Sequence, residues 1–175
     1  MGEFNIEQAD NKEYVLSMVK QDGKLLDLVS KRLQDDEEIV MEAVRQNPIS
    51  LEFASSRLKD NAQIVIESIS RVGWTACYAS EKLRANKEIM LPGIKIDGQI
   101  LYYVSKELRD DKEVVLAAVT NKGLILKYAS NRLRQDKDIV LAAIKQDKRA
   151  KEYITSKELR NDEDIQLVLN PPQEG

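Results

Sequence analysis

The chain contains no histidine and a single cysteine, Cys77, in 175 residues. The first absence removes the commonest general base and metal ligand, and it leaves the thiol with no imidazole to activate it. A cysteine protease and a zinc centre are therefore not expected. One thiol cannot form an internal disulfide, which fits a reducing, intracellular setting. No apolar run approaches the roughly 20 residues that cross a bilayer, and the first residues lack the basic start and apolar segment of a secretory signal. A soluble chain without a membrane span is expected. Phosphate-cradling loops of the types G-x-x-x-x-G-K-[ST] and G-x-G-x-x-G do not occur, so nucleotide binding through them has no support. No catalytic residue, cofactor or metal is expected, and the chain reads as a non-enzyme.

What is present is the composition of a folded, helix-rich protein. Hydrophobic residues make up 42% and charged residues 33%, a balance that can bury apolar surface and still dissolve. Only 5% are aromatic, glycine and proline are sparse, and Lys, Arg, Glu and Asp are interspersed, which favours helices over strands. The net charge of -3 argues against a general binder of nucleic acid or anionic membrane, since such proteins need excess cation to displace counterions.

The dominant signal is a repeat. "LRDDKEVVLAAV" (Leu108 to Val119) and "LRQDKDIVLAAI" (Leu133 to Ile144) are nearly identical stretches 25 residues apart. A shift of that length aligns Leu33, Leu58, Leu83, Leu108 and Leu133, with Leu159 following after one inserted residue. Ser30, Ser55, Ser80, Ser105 and Ser130 form a second column, and Leu28, Phe53, Tyr78, Tyr103, Tyr128 and Tyr153 a third. Such self-similarity marks a repeat architecture.

Each repeat reads as two short helices. The first is expected to start at a capping carboxylate, Asp10, Asp35 or Asp110, with Glu13, Glu38 or Glu113 reaching back three residues later. It is expected to stop at Gly23, Gly73, Gly98 or Gly123, where a left-handed residue closes the last turn, or at Pro48. The serine column is expected to supply a small side chain where helices approach closely. Ile39, Val40, Met41, Ala43 and Val44 cover an arc of about 200°, so the first helix must be contacted from two directions. Leu124, Ile125, Leu126, Tyr128 and Ala129 give the second helix a similar arc. Stacked pairs meet that demand, because each copy buries the open face of its neighbour. The expected fold is all-α, an α-solenoid of tandem ~25-residue helix-turn-helix repeats. Residues 8–170 carry about six hairpins and a terminal helix, residues 1–7 are expected to be loose or vector-derived, and 171–175 form a tail.

The consensus D-K-E-V-V-L-A-A-V-x-x-x-G-L-x-L-K-Y-A-S-x-x-L-R resembles the tandem repeat catalogued as domain of unknown function 4116. The match is best at "DDKEVVLAAVTNKGLILKYASNRLR" (Asp110 to Arg134) and "QDKDIVLAAIKQ" (Gln135 to Gln146), and it covers most of the chain from about Asp10 to Leu169. The resemblance implies a setting in amoebae and in bacteria that live inside them, including secreted effectors that act in a host cytosol. It thereby implies host-directed protein binding, and it transfers no catalytic residues.

Function should lie where one copy departs from its siblings. The helix "NKEIMLPGIKIDG" places Pro92 and Gly93 where other copies have alanines, which predicts a kink or early end near Leu91. Ile96 replaces the polar residues Gln46, Arg71, Asn121 and Gln146. Cys77 and Tyr102 replace the charged residues Asp27, Glu52, Lys127 and Glu152, with Trp74 one turn before Cys77. Trp74, Cys77, Pro92, Ile96 and Tyr102 are thus the candidate partner-binding residues. A second candidate is the basic ladder Lys59, Arg84, Arg109, Arg134 and Arg160, suited to an anion or nucleic acid. The neighbouring Asp60, Asp110, Asp111, Asp136 and Asp162 favour a simpler expectation, a solvated ridge of compensating ion pairs. The leading expectation is a protein-protein interaction module or scaffold whose partner is another protein; the alternatives are an anion binder and a structural spacer. Near the end, Leu167, Val168 and Leu169 are apolar with no complete following pair, so this helix either caps the stack or contacts a further domain or second chain.

Overall fold

The computed structural model describes residues 4–172, and these fall into two compact units that divide between Arg84 and Ala85. The first unit holds α1 (Lys12–Val19), α2 (Glu37–Gln46), α3 (Ala62–Ile69) and α4 (Glu81–Arg84). The second holds α5 (Lys87–Ile96), α6 (Lys112–Asn121), α7 (Lys137–Gln146), α8 (Lys157–Arg160) and α9 (Glu163–Leu169). The described residues contain no strand, and the architecture is an all-α repeat. Within the first unit α2 packs on both α1 and α3; within the second, α6 packs on both α5 and α7. That two-sided contact explains the wide apolar arc. In α2, α3, α6 and α7 a double pair is buried, such as Ile39, Val40, Ala43 and Val44 in α2, and Val114, Val115, Ala118 and Val119 in α6.

The second element of each repeat is a 3₁₀ segment and not an α-helix: Gly23–Leu28, Pro48–Phe53, Gly73–Tyr78, Gly98–Tyr102, Gly123–Tyr128 and Lys148–Tyr153. The reason is a spacing of three. Gly23, Leu26 and Val29 are buried, as are Pro48, Leu51 and Ala54, or Gly123, Leu126 and Ala129, and residues three apart eclipse one another at three per turn. Asp22, Asn47, Asp97 and Asp147 start four of these segments by accepting the amide two residues on.

Three further sequence expectations need correction. The helix caps lie one residue after the predicted carboxylates Asp10, Asp35 and Asp110, at Asn11, Asp36 and Asp111, and at the equivalent Asn61, Asn86 and Asp136 in the other repeats. The glycines are not left-handed stops, since no described glycine has a positive φ. They begin the 3₁₀ segments at points of close approach: a Cβ built on Gly23, Gly98 or Gly123 would collide with the carbonyl oxygen of Ala43, Ala118 or Ala143, respectively, in the next repeat. Finally, α5 continues through Pro92 to Ile96 and closes with Asp97 N–H on Gly93 O at 2.8 Å. Pro92 is exposed while Met90, Gly93 and Ile94 are buried, so the missing amide hydrogen is lost on the solvent side and the buried side stays intact.

The expected loose segment begins outside the described residues, which exclude 1–3, but Phe4 onward is placed. Its ring meets Tyr14 at 5.7 Å, and Asn5 starts a 3₁₀ turn over Ile6–Gln8. Of the predicted tail, 173–175 lie outside the described residues. In α9, which packs on α7, Ile165 is buried and Leu167 is exposed. Among the described residues no helix is long and apolar enough to cross a membrane.

Candidate interaction surface

Three sets of side chains bind one repeat to the next, and they decide which charges remain unpaired. The first set is built on the serine column. Ser80 Oγ donates to Asp60 at 2.6 Å, and Ser30, Ser55 and Ser130 donate likewise to Asp10, Asp35 and Asp110. The same hydroxyls accept the amides of Leu33, Leu58, Leu83 and Leu133 at 3.1–3.3 Å. Each carboxylate also takes a cation from that next repeat: Arg32 on Asp10 at 3.0 Å, Arg57 on Asp35 at 2.9 Å, Lys82 on Asp60 at 3.1 Å and Arg132 on Asp110 at 3.1 Å. The serines are thus hydrogen-bonding nodes and not spacers. The aspartates expected to cap their own helices hold the following repeat instead.

The second set clamps helix starts. Lys12 reaches Asp36 at 2.8 Å and Glu38 at 3.0 Å; Lys87 reaches Asp111 and Glu113, Lys112 reaches Asp136 and Asp138, and Lys137 reaches Asp162 and Asp164, all at 2.7–2.9 Å. The third set consists of amides. Gln46 accepts Gly23 N–H at 2.7 Å and donates to Gln21 O at 3.1 Å, and Asn121 does the same with Gly98 N–H and Ile96 O at 2.9 and 3.0 Å.

These bonds shift the ionisations in one direction. The serine hydroxyls, then the cations, hold the carboxyls of Asp10, Asp60 and Asp110 below their usual range, and the Ser55 hydroxyl does so at Asp35. Burial raises Asp36, Asp111 and Asp136, but a lysine and backbone amides outweigh it, so these too lie low. Lys12, Lys87, Lys112 and Lys137 are raised, each by its carboxylate pair. A depressed acid contributes stability in full above its unfolded value, about 3.9, and loses it as pH falls through the folded value. A raised lysine contributes in full below about 10.4 and loses it as pH rises through the folded value. With no histidine, melting temperature is expected to stay flat from about pH 5 to 9 and to fall below about pH 4. Thermal melts by circular dichroism across that range check this, and a transition centred near pH 6.5 would contradict it.

Lys59, Arg109 and Arg134 behave differently from the expected ridge of ion pairs. Asp60, Asp110, Asp111, Asp136 and Asp162 are taken by Lys82, Arg132, Lys87, Lys112 and Lys137. No described carboxylate lies within 4.0 Å of the basic groups of Lys59, Arg109 or Arg134. The Nε atoms of Arg109 and Arg134 are buried without a hydrogen-bond partner, so each stem lies against the repeat. Arg160 is engaged by Ile154 O at 3.0 and 2.6 Å. Arg84 is half-buried at the end of α4.

The apolar candidates are distributed over both units. In the first, Trp74 is 39% exposed and meets Tyr78 edge-on at 5.7 Å. Cys77 is exposed, and burial of its sulfur, with Glu52 nearby, pushes the thiol up, away from the reactive thiolate. In the second unit Pro92 and Ile96 are exposed on α5, and Tyr102 is 50% exposed. Tyr102 is joined by rings the departures from the repeat did not single out: Tyr103 at 4.8 Å and Tyr128 at 4.7 Å. Lys127 Nζ stands 4.6 Å over the Tyr128 ring. Reading the Lys127 column against its siblings, acidic at Asp27 and Glu52, would have marked that position as well.

Comparison with known families gives one finding. A family model described as Domain of unknown function (DUF4116) matches residues 11–59, 61–109 and 111–160. Neither the curated proteins nor the solved structures gave a match.

Proposed function

The chain belongs to the DUF4116 family, and from that premise we propose that it is a non-enzymatic module whose repeats bind another protein. One observation carries the reading: the charges at the helix starts are consumed by bonds between repeats, whereas Tyr102, Lys127, Arg109 and Arg134 remain without carboxylate partners. Aromatic and cationic side chains left accessible on a rigid support are the usual anchors of protein recognition. A host-directed role inside a cell is the setting that the family resemblance supports for such a module.

The test is quantitative affinity capture with the chain as bait, comparing wild type with Trp74→Ala and Tyr102→Ala. The proposal expects a partner protein whose recovery falls at least ~10-fold in one of the variants. Recovery of no protein that depends on either residue would return the chain to the role of a spacer.

A further inference from the structure

The 25-residue register lets one surface be compared with itself. In the first unit a groove of about 390 Å³ is lined by Asp27, Lys31, Gln34, Glu52, Phe53 and Lys59, among others. Its ionised side chains are two acids and two bases, so its charge is balanced. Three repeats further along, the same columns read Tyr102, Lys106, Arg109, Lys127, Tyr128 and Arg134. Both acids have gone. One has become an exposed tyrosine and the other a lysine, and the glutamine has become an arginine, which leaves four cations and no carboxylate at these positions.

We propose that this face of the second unit binds an acidic, extended peptide segment of the partner protein. The inference rests on the module reading above and adds the chemistry of what is recognised. No described carboxylate lies within 4.0 Å of the basic groups of Lys106, Arg109, Lys127 or Arg134. Glu107, which feels Lys106 and Arg109 at longer range, is bonded to the Ser105 hydroxyl. The stems of Arg109 and Arg134, immobilised against the repeat by their buried Nε atoms, lose little further entropy when the guanidinium ends grip a carboxylate. Tyr102 and Tyr128 touch across adjacent repeats and offer a surface on which a side chain between two acids can lie.

The spacing also specifies the ligand. Packed helices lie about 8–10 Å apart, and so do equivalent points on adjacent repeats. An extended chain in the polyproline II conformation advances about 3.1 Å per residue and returns to the same side every third residue, so acids three residues apart reach Arg109 and Arg134 together. A long polyanion fits less well, because the cationic stretch is short and the chain as a whole carries -3.

The experiment uses the full chain and three fluorescent probes read by anisotropy: the peptide GEAYEAYEG, its glutamine counterpart GQAYQAYQG, and an oligothymidylate of the same formal charge as the first. The glutamate peptide is expected to bind, to weaken as salt rises, and to lose at least ~10-fold in affinity in Arg109→Glu/Arg134→Glu and in the exposed single variant Lys127→Glu. Lys31→Glu/Lys59→Glu in the first unit is expected to change it less than ~2-fold. Circular dichroism of each variant separates lost binding from lost structure, and Lys127→Glu carries the test if the double variant unfolds. Equal binding of the glutamine peptide, indifference to the reversals in the second unit, or tighter arginine-dependent binding of the oligothymidylate would each overturn the proposal. The affinity capture stands apart from these outcomes: a partner lost with Tyr102→Ala but retained by Lys127→Glu would leave the module reading in place and remove this one.

Discussion

Gly123→Ala is expected to destabilise the protein by about 2–3 kcal/mol, the cost of forcing extra volume into a packed interior. The added methyl would collide with the Ala143 carbonyl oxygen and stand 3.0 Å from Gln146 Oε1 and 3.1 Å from the Asp147 nitrogen. Two of those three atoms are backbone and cannot rotate aside. The clash opposes the usual gain of about 0.4–1 kcal/mol when alanine stiffens the unfolded chain at a compatible backbone angle, and it outweighs that gain. Urea unfolding followed by circular dichroism measures the shift, and Gly123→Asn makes it diagnostic. A left-handed stop would tolerate asparagine, whereas a close approach rejects it as firmly as alanine. An alanine variant as stable as the wild type would refute the close-approach account.

Leu58→Ala is expected to cost more, about 3–5 kcal/mol, because it removes a large side chain from a site that cannot fully collapse. Leu58 is 0% exposed and opens the short turn Leu58–Asp60 that precedes α3. Its amide is already anchored on Ser55 Oγ at 3.2 Å, and the Ser80 amide is bonded to the carbonyl of its neighbour Lys59 at 2.9 Å. The backbone is therefore held from both sides, and the void would persist. Trp74, the single tryptophan, lies in the same unit, so its fluorescence and the helical signal should both shift to lower urea. Lys59→Ala is the control: it removes a half-buried stem whose ammonium meets no described carboxylate, and it is expected to change stability by less than about 0.5 kcal/mol. A Leu58 variant no worse than that control would mean the leucine column is not core.

The leucine column shows what periodicity conveys. Leu33, Leu58, Leu83, Leu108 and Leu133 align in the chain and all are buried, because a residue repeated at the same place in every copy meets the same neighbours. The all-α class was legible on the same ground, whereas the column from Leu28 to Tyr153 aligns equally well yet is exposed at Leu28 and half-buried elsewhere. The 3₁₀ segments were legible in principle, since Gly123, Leu126 and Ala129 recur every three residues, but the same residues also fit a broad α-helical arc. The lysine clamps left a readable trace as well. Lys12 precedes Asp36 and Glu38, whereas Glu37 precedes the neutral Asn61 and Gln63, a matching of charge between copies that becomes meaningful only when α1 and α2 are known to lie side by side.

Strand-free helical repeats, the 25-residue module and its buried columns follow from the order of residues alone, because helix propensity and apolar spacing act over a few neighbours. The partner of each charge does not. Asp110 could cap its own helix or accept Ser130 and Arg132, and both choices satisfy the local chain equally well. Packing one repeat against the next brings groups 20 to 25 residues apart within hydrogen-bonding distance, and that register settles which carboxylates are occupied. It thereby leaves Arg109 and Arg134 with no described carboxylate within 4.0 Å, where the order of residues showed only a cation beside an acid.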